Sequence, residues 1–113
     1  MAARNQLLGA PPYPVEGAIK ALGANIRTAR LRRNITLAEI AEKVGVSRFA
    51  VANAEKGKAS TSIAVYLALL WALGLLEQMT DVADPSKDSE GLTLSLAHDR
   101  TKARRSEVLD NDF

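Results

Sequence analysis

The stretch that most constrains the fold is TLAEIAEKVGVSRFAVANAEKG, which begins at Thr36. Thr36 has a side chain typical of a helix N-cap, and the glutamate three residues later completes a capping box. Apolar residues then recur at helical spacing until Gly45, which permits the left-handed backbone that ends a helix. Ser47 caps a second helix, which ends at Gly57. The sequence therefore predicts two short helices joined by a tight turn.

Two short helices joined in this way have the spacing of a helix-turn-helix motif. The stretch resembles the helix-turn-helix of the Cro/lambda-repressor-like, or XRE, family of DNA-binding proteins. The resemblance extends from about residue 22 to residue 75. It implies an all-α, five-helix lambda-repressor-like DNA-binding domain. The shared residues are Thr36, Ala41, Gly45-Val46-Ser47, Val51 and Glu55-Lys56-Gly57.

Composition divides the chain into three parts. Residues 1–15 contain one glycine and three prolines, so we expect an extended N-terminal arm. Residues 16–83 form the helix-turn-helix DNA-binding and dimerisation domain, with a first helix over 16–33. Residues 84–113 form a polar C-terminal tail, in which leucines at 92, 94 and 96 alternate with polar residues as in a short strand or docking segment. The segment 75–82 is either a fifth helix or a strand that pairs with a second subunit.

Charge and composition narrow the classes of function. Residues 1–60 hold ten basic and four acidic side chains, whereas residues 61–113 hold five and nine, so the first half suits a polyanionic partner. The chain has no cysteine, a secretory signal is not recognisable, and no apolar run reaches the length of a membrane span, so we expect a cytoplasmic protein. No catalytic motif, cofactor loop or metal cluster is recognisable, and the single histidine, His98, lies in the polar tail. We expect neither an enzyme nor a cofactor.

In the motif, the second helix enters the major groove of double-stranded DNA and its N-terminal half contacts base edges. Arg48 can donate two hydrogen bonds to guanine, and Asn53 can bind adenine or a phosphate. Phe49 can contact only a thymine methyl group or a sugar, and the alternative for Phe49 is a protein interface. The residues predicted to contact phosphates are Ser47, Lys56, Lys58 and Ser60.

The family resemblance also bears on three further positions. Arg30 lies beside the buried stripe of the first helix, where the family pairs an arginine with the equivalent of Glu55. This pairing implies a structural ion pair rather than a functional site. Leu37 is a departure, because relatives often carry there a glutamine that contacts phosphate.

A fourth helix predicted from Ile63 to Leu73 is apolar almost all round, and a domain of this size can cover only one face of such a helix. We therefore expect a homodimer, which would bind a palindromic operator. The predicted interface residues are Val65, Leu69, Trp71, Leu73, Leu76 and Met79.

The sequence favours a DNA-binding transcriptional repressor. The segments PPYPVE and LGLLE and the Asp84-Pro85 turn resemble HipB-like antitoxins. This resemblance implies a HipA-like kinase toxin as partner and autoregulation of a shared operon. Two alternatives remain: a phage-type or metabolic repressor without a toxin, and a protein-interaction module that has lost DNA binding.

Overall fold

The computed structural model of the protein describes residues 6–111, with side chains as far as residue 107. Within these residues every regular element is helical and no strand occurs, so the all-α prediction is confirmed. None of these helices is both long and apolar enough to cross a membrane. The α-helices are α1 (Gln6–Gly9), α2 (Tyr13–Arg32), α3 (Leu37–Val44), α4 (Arg48–Glu55), α5 (Ile63–Ala72) and α6 (Ser89–Asn111), and the 3-10 helices are Leu76–Asp81 and Pro85–Lys87.

The chain forms two compact units, of which the first ends at Glu77. In this first unit α2 packs on α4 and α5, and α3 packs on the same two helices. The core between them is aliphatic, as the low aromatic content suggests, with one tyrosine at its edge. Its buried side chains are Ile26, Ala29, Ile40, Ala41, Val51, Ala54, Tyr66, Leu69, Leu70 and Leu73.

The predicted extended arm over residues 1–15 is wrong for much of its length. Residues 6–9 form the short helix α1, and α2 begins at Tyr13 instead of residue 16. Between these two helices, Pro12 has an extended backbone, with φ −52° and ψ 142°. Pro14 fits in the first turn of α2, because the N–H groups of that turn have no partner within a helix in any case. The rest of the predicted arm, residues 1–5, lies outside the described residues.

The second unit begins at Gln78 and holds the whole of the predicted tail. Of the two alternatives for residues 92–96, the short strand is wrong, because these residues lie within the 23-residue helix α6, whereas the docking segment stays a prediction. A strand needs a neighbour to pair with, and nine of the fourteen residues from 92 to 105 are alanine, leucine, lysine or arginine, which favour helices. The strand alternative for residues 75–82 is also wrong, because this segment contains a 3-10 helix. Residues 112–113 lie outside the described part of the chain.

Candidate nucleic-acid interface

Local hydrogen bonds define where α3 and α4 begin. The Thr36 hydroxyl accepts a hydrogen bond from the Glu39 backbone N–H, and the Glu39 carboxylate accepts one from the Thr36 N–H, which forms a complete capping box. Gly45 ends α3 with φ 80°, a left-handed conformation that favours glycine. Two residues later the Ser47 hydroxyl caps α4 by accepting from Ala50 N–H at 3.0 Å. The turn between the helices is thus fixed at both ends by its own sequence.

The inner face of α4 lies against α2 at very short range. Val51 and Ala54 are completely buried. A methyl group on Gly23 of α2 would lie 2.8 Å from the carbonyl oxygen of Glu55 and closer still to that of Ala54. A methyl group on Gly57, whose φ is +70°, would lie equally close to the backbone of α2. These two glycines let the backbones approach, so the rigid helix α2 holds the C-terminal end of α4 in position.

A buried ion pair joins α2 to the end of α4. Arg30 Nε donates to Glu55 Oε2 at 2.6 Å, and a second guanidinium nitrogen donates to Oε1 at 3.0 Å. The third guanidinium nitrogen donates to the Ile35 carbonyl at 2.8 Å. The hydrogen bond with Glu55 raises the pKa of Arg30 above its ordinary value. This bidentate pair connects α2, the segment before α3 and α4, so it braces the motif from behind.

The outer face of α4 is open to solvent. At 100° per residue, Phe49 lies almost directly opposite the buried side of the helix, and its side chain is 74% exposed. Asn53, one turn further on, lies on the same outward face and is half-buried. Arg48 is exposed on the flank of α4. It lines a groove of about 490 Å³ with the start of α3, including Thr36 and the half-buried Leu37.

The loop that follows α4 carries two more cations on a fixed backbone. Lys56 and Lys58 are both exposed, as is Ser60. The Lys58 N–H donates to the Asn53 carbonyl at 3.1 Å, and the Tyr66 hydroxyl donates to the Lys58 carbonyl at 3.0 Å. Burial raises the pKa of the Tyr66 phenol, opposed by its hydrogen bond with Thr61. Sequence reasoning missed this anchoring role of Tyr66, because a hydrogen bond to a backbone carbonyl eight residues away leaves no pattern in the sequence.

The residues predicted at the dimer interface lie in different environments. Leu69 and Leu73 belong to the core of their own chain, with exposed fractions of 0% and 4%. A second subunit could reach neither of them without opening that core. Trp71 and Leu76 are exposed at 57% and 37%, whereas Val65 is half-buried. Met79, also half-buried, belongs to the second unit.

A contact that the sequence did not indicate lies at Trp71. The ammonium group of Lys43, from α3, lies 5.9 Å from the centroid of the Trp71 ring. The same group is 3.5 Å from the Ala72 carbonyl oxygen at the end of α5. Both partners favour a cation there, one through the ring face and one through the helix C-terminus. Lys43, itself exposed, therefore contacts both the exposed indole and the C-terminal end of α5.

Comparison with known proteins supports the same assignment of the motif. A family model described as a helix-turn-helix domain matches residues 21–83, more than half of the chain. The chain belongs to the helix-turn-helix domain family. No curated protein and no solved structure matches it. The matched region contains the whole helix-turn-helix, so the chain is a DNA-binding protein of XRE-like type.

Proposed function

We propose that the protein is a transcriptional repressor that binds a specific DNA sequence with the outer face of α4. The observation that carries this proposal is the composition of that face. Phe49 and Asn53 point away from the core, Arg48 flanks them, and the exposed Lys56 and Lys58 follow directly. A face of this kind offers a guanidinium group and an amide for base edges beside an apolar centre, and cations for phosphates at its C-terminal end.

Each residue of the surface has a proposed role that follows from its chemistry. Arg48 donates two hydrogen bonds to O6 and N7 of a guanine, and Asn53 binds an adenine edge or a phosphate. Ser47, Lys56, Lys58 and Ser60 bind phosphates and set the orientation of the protein on the duplex. Hydrogen bonds with Asn53 and Tyr66 hold the backbone of Lys58, which limits the positions that the Lys58 ammonium group can take.

Two substitutions separate base reading from phosphate binding. The operator is first recovered from a randomised duplex library, and affinities are then measured over a series of salt concentrations. Arg48→Ala should weaken operator binding by about 1–3 kcal/mol and relax the preference at one position. Lys58→Ala should weaken all sequences alike and reduce the salt slope by about one unit per subunit. Equal losses on operator and random DNA for Arg48→Ala would contradict the reading role.

We further propose that the protein acts as a homodimer. The support lies in α5, whose outward face carries Ala64, Ala68 and Trp71 at helical spacing, with the indole 57% exposed. With Leu69 and Leu73 in the core, the proposed interface is centred on Trp71 and Leu76, with a contribution from Val65. The contribution predicted for Met79, which belongs to the second unit, stays a prediction. Twofold symmetry would then present two copies of α4 to two half-sites of a palindrome.

The dimer is tested by placing a charge in the proposed interface. Trp71→Lys should produce a monomer, because the new charge would be buried unpaired between apolar surfaces and Lys43, the cation beside it, cannot neutralise it. Ile63→Lys is the matched control, since Ile63 is similarly exposed, at 60%, on the same helix but outside the proposed interface. Sedimentation of the three proteins at tens of micromolar, with circular dichroism to check folding, gives the answer. A monomeric wild type that still binds its operator tightly would refute the proposal.

The finer proposal is that this repressor is the antitoxin of a toxin–antitoxin pair. Its support is the resemblance of the segments around residues 11–16 and 73–77 and of the Asp84-Pro85 turn to HipB-like antitoxins. The partner would be a HipA-like kinase, and the complex would repress its own operon. Co-expression with the product of the adjacent gene tests this proposal. A neighbouring kinase that neither binds the protein nor loses toxicity in its presence would contradict this proposal and favour the alternative, a repressor without a toxin.

A further inference from the structure

The centre of the outer face of α4 is apolar, which is unusual for a surface that reads DNA. Phe49 is 74% exposed, the largest exposed fraction among the large apolar side chains of α3, α4 and α5. It lies opposite the buried residues Val51 and Ala54. Its neighbour on that face, Ala52, is small. The ring is therefore free to contact a molecule that binds in front of α4, because the small Ala52 side chain does not block its approach.

The surroundings of Phe49 favour DNA over a protein as that occupant. Arg48 lies on one flank, and Lys56 and Lys58 lie at the end of the same helix, all exposed. No acidic side chain lies on the outward face of α4, because Glu55 points inward to Arg30. A surface with cations around an aromatic ring matches a polyanion that carries small apolar groups between its charges. The major groove is such a surface, since phosphates line its edges and thymine methyl groups line its floor.

A phenylalanine ring has no hydrogen-bond donor or acceptor, so it cannot read the polar atoms of a base. The exocyclic methyl at C5 is the one apolar group that the major groove offers, and only thymine carries it in unmodified DNA. We propose that Phe49 determines specificity by packing its ring on a pyrimidine 5-methyl group. This inference rests on the proposed function of α4 as the recognition helix. It adds a chemical class of target: thymine, or 5-methylcytosine, at one position of each half-site.

Arg48 and Phe49 are placed to contact different base pairs of the half-site. Arg48 is turned by about 100° from Phe49 around the axis, towards the start of α3. The guanine that Arg48 binds and the methyl group that Phe49 contacts therefore occupy different positions of the half-site. Arg48→Ala and Phe49→Ala should consequently relax different positions. A methyl contact also requires no fixed hydrogen-bond geometry, so Phe49→Leu should retain part of the preference.

The test removes the methyl group from the DNA and the ring from the protein in turn. In the operator recovered by selection, each thymine is replaced singly by deoxyuridine, which lacks only the methyl group. For the wild type, one position in each half-site should lose affinity by about fourfold, and roughly 15-fold when both half-sites are changed. Replacement of the other thymines is the control and should leave affinity unaltered.

Phe49→Ala should bind the thymine and deoxyuridine duplexes equally, with the folding of the variant checked by thermal melting. A second pair of duplexes carries cytosine or 5-methylcytosine at the sensitive position, and the wild type should prefer the methylated one by a similar factor. Sensitivity to deoxyuridine that persists in Phe49→Ala would overturn this inference alone, as would insensitivity of the wild type at every thymine. A Phe49→Ala variant that keeps its DNA affinity but changes its sedimentation would assign the ring to a protein interface and also overturn it. A wild type that enriches no sequence from the library would overturn the proposed function and the inference together.

Discussion

The ion pair between Arg30 and Glu55 offers a sharp test of how the motif is held together. The two side chains are only 8% and 6% exposed, and three guanidinium hydrogen bonds join Glu55 and the Ile35 carbonyl to Arg30. Arg30→Met leaves a carboxylate without a partner in the interior. Glu55→Gln places a neutral amide against a guanidinium group that needs a negative acceptor.

Breaking such a pair from one side costs about 3–5 kcal/mol, because the remaining charge keeps its desolvation penalty. A small domain has only about 5–15 kcal/mol of stability in total, so each single variant should lose a large part of it. The double variant Arg30→Met/Glu55→Gln removes both charges. It should be about as stable as the single variants or more stable, although independent effects would sum to about 6–10 kcal/mol.

Urea unfolding of the wild type, both single variants and the double variant measures this coupling. The matched control is the exposed pair of Lys20 and Glu16, which lie 2.8 Å apart with side chains 61% and 43% exposed. The same cycle on that pair should show little coupling, since water screens it. Full additivity of the Arg30 and Glu55 substitutions would refute the claim that the two charges depend on each other.

One further prediction concerns the close backbone contact between α2 and α4, and another concerns the turn at Asp84. Gly23→Ala should destabilise the protein by at least about 1–3 kcal/mol, because the new methyl group would meet the Ala54 carbonyl, whereas Gly17→Ala on the same helix has open space and should stabilise it by about 0.4–1 kcal/mol. Thermal melts of the two variants should therefore shift in opposite directions. Hydrogen bonds from the Ser86 backbone and hydroxyl hold the pKa of Asp84 below its ordinary value of 3.8. The turn should thus gain stability from Asp84 above that pH and lose it as the pH falls further, which the Ser86 amide resonance should report in an NMR titration.

The helix-turn-helix was predictable because short-range chemistry determines it. Thr36 with its capping box, Gly45 in the left-handed region and Ser47 as an N-cap each form the hydrogen bonds or backbone angles that their residue types favour. None of these features depends on distant parts of the chain. The start of α2 was mispredicted because prolines were counted as helix breakers. In this chain Pro12 and Pro14 lie at the cap and in the first turn, where proline is tolerated.

Long-range packing was harder to infer. Helix α5 is apolar on every side, so periodicity could not tell which face is buried, and Leu69 and Leu73 were assigned to an interface although they lie in the core. The contact of Lys43 with Trp71 joins residues far apart in sequence and leaves no local pattern. The outward positions of α4 follow from helical geometry alone, whereas their contacts with DNA stay predictions.

The most direct test of the account is an NMR titration of the labelled protein with its selected operator duplex, compared with a scrambled duplex at the same salt concentration. The largest amide shifts should fall on residues 47–53 and 56–60, and those of Phe49 and Asn53 should appear only with the operator. Shifts on the lysine-bearing loop alone should accompany the scrambled duplex, because phosphate contacts carry no sequence information. Identical shifts with both duplexes, or shifts centred on Trp71 with α4 unaffected, would contradict the claim that α4 reads DNA sequence.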